Sequence, residues 1–287
     1  MLLTLFVAPQ ASACSTCQAG DPTLTIMGHG KPFEGRLRAS LEFRYRTEDI
    51  GVPGVSSEEL SEYRTSLGIA WTPHERITLG LSVPVVGKQL ALANQSEERS
   101  FFLGDIEVNA RGFVWQDRHA MPRHLLGVVA GLRVPSAPEL EDSAGVPLSF
   151  DAQAGNGAWV PSAGLWYGYF RHPFSLYLSS VGYFTAGGFG AFEAGDAWVN
   201  TLMAQWAPEL PVALQLGFDT RAATRDVDAG VVDPDSGGFI GFLTPGIVFS
   251  PTEDLLLSVR VMIPVIDQLD GNHDEGVSVL AGVTYDL

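Results

Sequence analysis

No stretch of this 287-residue chain approaches the roughly 18 consecutive apolar residues of a membrane-crossing helix. Charge is also scarce: Asp, Glu, Lys and Arg together make 17% of the residues, against 46% hydrophobic, a balance too apolar for most water-soluble folds. The formal charge of −16 argues against a nucleic-acid partner, since holding phosphates takes a basic face and not an acidic balance. No nucleotide-binding motif and no energised plug domain can be read, so active transport would have to be driven from elsewhere. What is present is apolar residues at alternate positions. Such a chain faces lipid in one way, by pairing its strands into a closed barrel.

The clearest strand covers residues 36–46. Leu37, Ala39, Leu41, Phe43 and Tyr45 alternate with Arg36, Arg38, Ser40, Glu42, Arg44 and Arg46, a period of two with one apolar and one charged face. The alternation recurs over residues 63–71, 77–85, 105–115, 124–135, 160–170, 174–184, 197–206, 211–221, 239–249, 255–265 and 277–287, which makes about twelve strands. In the strands starting at Val160, Phe174 and Phe239 both faces carry apolar residues, so their orientation is ambiguous. Tyr45, Trp71, Trp115, Trp166, Tyr169, Trp206 and Tyr285 lie near strand ends, where aromatic girdles mark a membrane interface.

Connection lengths alternate. Short turns at Pro73 and over residues 117–123, 171–173, 208–210 and 251–254 are interleaved with long loops over residues 47–62, 88–101, 136–159, 185–196, 222–238 and 266–275. An outer-membrane barrel segregates short periplasmic turns from long external loops in this way, and an even strand number returns both chain ends to the periplasm. The fold expected is an all-β, closed, antiparallel transmembrane barrel over residues 35–287. The long loops hold much of the acid, including Glu48, Glu58, Glu62, Glu139, Asp142, Asp226 and Asp235. That distribution reads as a solvated external face, or as cation-bridged contact with lipopolysaccharide. The terminal alternation Val283, Tyr285, Leu287 is the kind of strand that outer-membrane assembly machinery recognises. Expected partners are therefore outer-membrane lipid, lipopolysaccharide, that machinery and a small-molecule solute.

Residues 1–13 have a short apolar core followed by Ala11-Ser12-Ala13, the pattern of a signal peptide remnant, and residues 14–34 then form a periplasmic tail. Its Cys14 and Cys17 make the one CxxC. In an oxidising compartment they can close a small disulfide; as thiolates they suit Cu or Zn, given two further ligands; Cys14 could also be lipidated. A barrel whose tail binds or hands over a soft metal is thus one alternative function, and a structural or adhesive barrel working through its loops is another.

If the alternation holds, Arg36, Arg38, Arg44, Arg46, Arg64, Arg111, Arg133, Arg221 and Arg260 project into the lumen, with Glu42, Asp105, Glu107 and Asp219 among them. One reading is a cross-strand ion-pair lattice that stabilises a narrow barrel. The other is a basic constriction favouring anions, as arginine rings do in anion pores. Both can hold together. The six histidines fall at short turns, ahead of the barrel, or, for His273, alone in an acidic loop, which does not suit a hydrolytic site, so no enzyme is expected. The loops over residues 185–197 and 231–238 read as mobile.

Four short motifs carry a resemblance: Gly104-Asp105-Ile106, the run from Gly155 through Asn156 to Pro161, Pro245-Gly246, and Ile263-Pro264-Val265. From Tyr63 to the C-terminus the chain resembles the outer-membrane barrels called transporters of the meta-pathway of phenol degradation. The CxxC tail is not part of that family's pattern. The resemblance implies a barrel carrying small, often aromatic or hydrophobic molecules; the residues themselves imply a channel or passive transporter for small solutes.

Overall fold

The computed structural model describes residues 34–52, 56–118 and 122–287, so the signal remnant and both cysteines lie outside the described residues. Twelve wall strands run antiparallel to their neighbours. They are β1 (Leu37–Ile50), β2 (Glu58–His74), β3 (Ile77–Ala91), β4 in two segments (Glu97–Leu103 and Ile106–Gln116), β5 (His124–Val134) and β6 (Val160–Arg171). They continue as β7 (Phe174–Tyr183), β8 (Ala197–Trp206), β9 (Val212–Ala223), β10 (Gly238–Phe249), β11 (Leu255–Leu269) and β12 (Ser278–Asp286), the last preceded by a short extension, His273–Glu275. β1 pairs with β2 from Leu37–Trp71 to Ile50–Glu58, and on its other edge with β12 from Arg38–Asp286 to Tyr45–Val279. The wall is therefore closed, and its first and last strands share a seam.

Closure satisfies backbone groups strand to strand, so each side chain has two options, outward or inward. The outward set is apolar. Leu41, Phe43, Leu67, Ile69, Leu81, Val128, Leu165, Leu178, Leu202, Leu216, Val259 and Val283 all stand exposed. An apolar girdle encircling the whole molecule has no counterpart on a water-soluble protein, and it is the surface a barrel presents to lipid. Trp71, Trp115, Trp206 and Tyr285 ring it at the short-turn rim, while Trp159 and Trp198 lie toward the other rim. Trp166 departs from the expected girdle. It falls on the inward register and is buried, its indole N–H donating to the Gly112 carbonyl at 3.2 Å.

All short turns gather at one rim, together with both ends of the wall. At one of them Asp117 accepts backbone N–H bonds from Arg123 (2.8 Å) and His124 (3.0 Å), which hold its carboxyl below the usual range. At the opposite rim two of the expected long loops are mostly strand: β1 and β2 are paired up to Ile50–Glu58, and β3 pairs with the first segment of β4 up to Ala91–Glu97. Part of the charge that read as loop lies on the inner face of these extensions. Glu48 and Glu62 are buried, while their outward neighbours Thr47, Asp49 and Ser61 turn polar where the strands outrun the lipid. The segments read as mobile also pair, Phe192–Glu193 with Val227–Asp228, and Val227–Asp228 with Val231–Val232, as a three-stranded sheet over this rim.

The in-out assignment has a direct test. Leu67→Lys places an ammonium on the lipid face and should cost about 2–4 kcal/mol in urea titrations of vesicle-embedded protein. Ser66→Lys, inward and opposite Glu42, should cost well under half as much. Equal costs would contradict the assignment.

Candidate functional site

The interior is where this sequence departs from a plain barrel. In a ring of twelve strands β1 and β7 stand opposite, and the walls around them differ in chemistry. On β5 to β8 the inward residues Leu125, Val129, Val160, Trp166, Tyr177, Val181, Val199 and Met203 are buried in two apolar clusters. On β1 to β4 the inward residues include Arg38, Arg44, Arg46, Glu62, Glu107, Asn109 and Arg111, also buried.

Charge taken out of bulk water calls for opposite charge, and Glu62 is the centre of it here. Glu62 accepts from Arg44 at 2.6 Å and Arg46 at 3.2 Å, with Arg64 at 3.6 Å. Arg46 also reaches Glu48 (3.1 Å) and Glu275 (4.0 Å), and Glu275 accepts from Arg221 on the far side at 2.7 Å. His273 is not alone in an acidic loop: its Nδ1 lies 3.1 Å from Glu48 Oε1 inside this network. Beside this network Arg133 pairs with Glu107 (3.6 Å); lower down, Arg260 pairs with Glu42 (3.2 Å), and Arg36 and Arg38 share Asp286 at 2.6 and 2.8 Å. Arg111 lies over the Trp166 ring, 5.1 Å from its centroid, a cation–π contact between the charged wall and the apolar one. Asp219 accepts hydroxyl bonds from Thr201 and Thr244, both 2.6 Å. Gly246 leaves room for Arg260 against the wall, since a Cβ there would lie 2.7 Å from the arginine Cγ.

Asp105 does something different. It sits at the break in β4, and its Oδ1 accepts backbone N–H bonds from Ser136 (3.1 Å) and Ala137 (3.0 Å), its Oδ2 one from Asn156 (2.9 Å). One buried carboxylate thus holds both ends of the connection over residues 135–159. Gly155 makes the approach possible, because a Cβ there would fall 2.7 Å from both Asp105 oxygens. The motifs Gly104-Asp105 and Gly155-Asn156, 51 positions apart, are two halves of this anchor. Between its ends the connection folds into the mouth. Gln153 ties it internally through Leu140 and Leu148, Phe150 stacks on Phe192 at 3.9 Å, and Ala152 packs against Ile50, Leu60 and Leu90. Beneath Phe150–Asn156 lies a cavity of about 50 Å³ beside Arg46, Glu62, Arg64, Lys88 and Arg133. At the short-turn rim, by contrast, a cavity of about 370 Å³ is open between the walls.

Sequence reasoning did not find Glu48, Glu62, Glu275 and Asp286 as the carboxylate partners, nor residues 150–156 as an inserted segment. The run Ala152-Gln153-Ala154-Gly155-Asn156-Gly157-Ala158, without charge inside an otherwise acidic loop, was the available signal.

These features define a membrane-spanning barrel of the outer-membrane type with a chemically divided interior. No family model matches the chain, and no curated protein matches it. Among solved structures it is similar to an outer membrane channel from Pseudomonas putida F1, at 12% identity over 89% of this chain and 96% of that one, with a TM-score of 0.71. It is also similar to the beta domain of the Bordetella autotransporter BrkA (11% identity, 88% and 100% covered, TM-score 0.52). The translocator domain of the autotransporter NalP from Neisseria meningitidis is 12% identical over 90% of this chain and 91% of its own, with a TM-score of 0.50. What these likenesses share is the fold.

Glu62→Ala would leave three arginines short of a buried carboxylate and should cost about 3–5 kcal/mol in unfolding titrations. Glu97→Ala, which breaks the exposed pair with Arg99, should cost under about 1 kcal/mol. Indistinguishable midpoints for the two variants would mean that the interior network is freely hydrated.

Proposed function

We propose that this protein is a passive outer-membrane channel for small solutes, with passage limited by the connection folded into its long-loop mouth. The observation that carries this reading is the unequal filling of the lumen among the described residues: a cavity of about 370 Å³ at one end and, at the other, an inserted segment whose two ends meet on the carboxylate of Asp105. Short turns would face the periplasm and the long connections the exterior, with lipopolysaccharide and outer-membrane lipid around the apolar girdle, and with the assembly machinery engaging β12. The family resemblance at Asp105 and Asn156 supports uptake of small, often aromatic or hydrophobic molecules. The reading includes no catalytic step. A metal-handling role for the CxxC tail rests on residues outside those described.

Interior guanidiniums facing a narrow path favour anions. Reconstituted in planar bilayers, the protein should give small conductance steps with an anion-preferring reversal potential. Arg38→Ala combined with Arg44→Ala leaves Asp286 and Glu62 under-neutralised and should shift that potential toward cations. Asp105→Ala strands three backbone donors, each worth about 1–3 kcal/mol when left unsatisfied, and should raise open-state occupancy several-fold. Barrels that stay silent both with and without Asp105 would overturn the channel reading.

A further inference from the structure

One stretch of the lipid-facing wall is not apolar. Ser180 on β7, Asn200 on β8 and Thr220 on β9 are paired side by side on the outward register. Their outward neighbours along the strands are Leu178, Leu202 and Phe218 on one side and Gly182, Trp198 and Ala222 on the other. The three side chains form one run of hydrogen bonds. The Trp198 indole N–H donates to Ser180 Oγ at 2.9 Å, the Ser180 hydroxyl to Asn200 Oδ1 at 2.6 Å, and Asn200 Nδ2 to Thr220 Oγ1 at 3.1 Å.

Strand tilt sets how deep this patch lies. Strands of such barrels lean by about 35–45°, so a row of paired residues climbs as it crosses the wall. The row through Asn200 starts at Ile266, where β11 turns polar at Asp267 and Gln268, and crosses Gly241 and Thr220 before reaching Asn200 and Ser180. It then descends over four further strands to Ile77, beside the short turn at the foot of β3. Asn200 and Ser180 stand fourth and fifth of its nine positions, so they face the middle of the apolar band.

Water and lipid head groups do not reach that depth, and acyl chains offer no hydrogen bond. Among the described residues the Asn200 side chain makes only the two bonds above, which leaves one amide hydrogen and one carbonyl lone pair for a partner from outside the wall. A carboxamide is donor and acceptor at once, so a second copy of the same patch supplies both. Across a two-fold axis along the membrane normal, which keeps both barrels inserted in the same sense, two Asn200 side chains exchange reciprocal bonds. The surface permits that approach: Ala204, Ala222 and Gly241 project little, and Trp198 lies down over Gly182, where a Cβ would come within 2.6 Å of its ring. Between purely apolar faces lipid tails compete on equal terms, so the polar island singles out this face.

We propose that the protein forms a two-fold dimer in the membrane through the face of β7 to β9, with Asn200 bonding its counterpart in the second copy at the centre. The inference goes beyond the channel reading and does not depend on it.

The test is sedimentation equilibrium of the full chain in density-matched detergent micelles over a range of protein-to-detergent ratios. The wild type is expected to dimerise reversibly, and Asn200→Leu to raise the dissociation constant about tenfold. Thr65→Val, which removes an outward hydroxyl on β2 across the barrel, should leave it unchanged. Ala222→Trp keeps every bond of the patch but holds the second copy away; it should weaken the dimer as well, and serves where Asn200→Leu does not fold. In vesicles, with Cys14→Ser and Cys17→Ser in place, Leu202→Cys should be joined to its copy by a short bismaleimide and Leu67→Cys should not. Monomers at every ratio, or dimers indifferent to both patch variants, would overturn the proposal. Monomers that retain lipopolysaccharide and lose it with Asn200→Leu would give the patch to a lipid and overturn it equally.

Discussion

A backbone embedded in hydrocarbon has no water to turn to, so each N–H and C=O of the wall must meet its partner on the next strand. Most of what distinguishes this protein follows from that requirement. It fixes the strands side by side, it forces the ring to close, and it reduces every side chain to a choice between lipid and lumen. Once Leu67 and Ile69 face outward, Arg64 and Ser66 must face inward, and the arginines of β1 are delivered together into a confined space. Their carboxylate partners are then obligatory: an unpaired guanidinium there would outweigh much of the free energy gained by burying its own strand.

The interior resolves this on one side only. Around β1 to β4 charge answers charge, through Glu62, Glu48 and Glu107, whereas β5 to β8 fill their share with Val129, Val181, Trp166 and Met203. The two halves meet where Arg111 lies over Trp166, a contact that tolerates both partners because the ring face is at once apolar and electron-rich. The division between charged and apolar walls thus runs across the barrel.

How far the sequence could be read depended on lipid. Strand centres were legible because the membrane makes one face apolar, as in Leu37 to Tyr45. Strand ends were not, because beyond the hydrocarbon both faces are polar, and so Glu48 and Glu62 looked like loop although they lie on the inner face. Trp166 was assigned to the interface because β6 offers apolar residues on both faces, Leu165 and Tyr167 on one and Trp166 and Phe170 on the other, so periodicity could not choose. The arginines were visible as a set, but their partners were not: Asp286 lies 250 positions from Arg36, and that proximity exists only after the ring has closed. Asp105 was legible as an inward acid and illegible as an anchor, since backbone donors leave no trace in side-chain chemistry.

The shared carboxylate of Asp286 has a consequence for how the barrel joins up. The first and last strands must meet in one alignment, and a slip by two residues would keep every side chain on its proper face while misplacing all of them along the axis. Apolar neighbours such as Ala39 against Tyr285 and Leu41 against Val283 discriminate weakly between such alignments. An acid that bonds both Arg36 and Arg38 adds a polar preference to that weak apolar one: a slip that moved Asp286 toward Ser40 would part it from Arg36, so the clasp biases the cylinder against sliding shut in that direction.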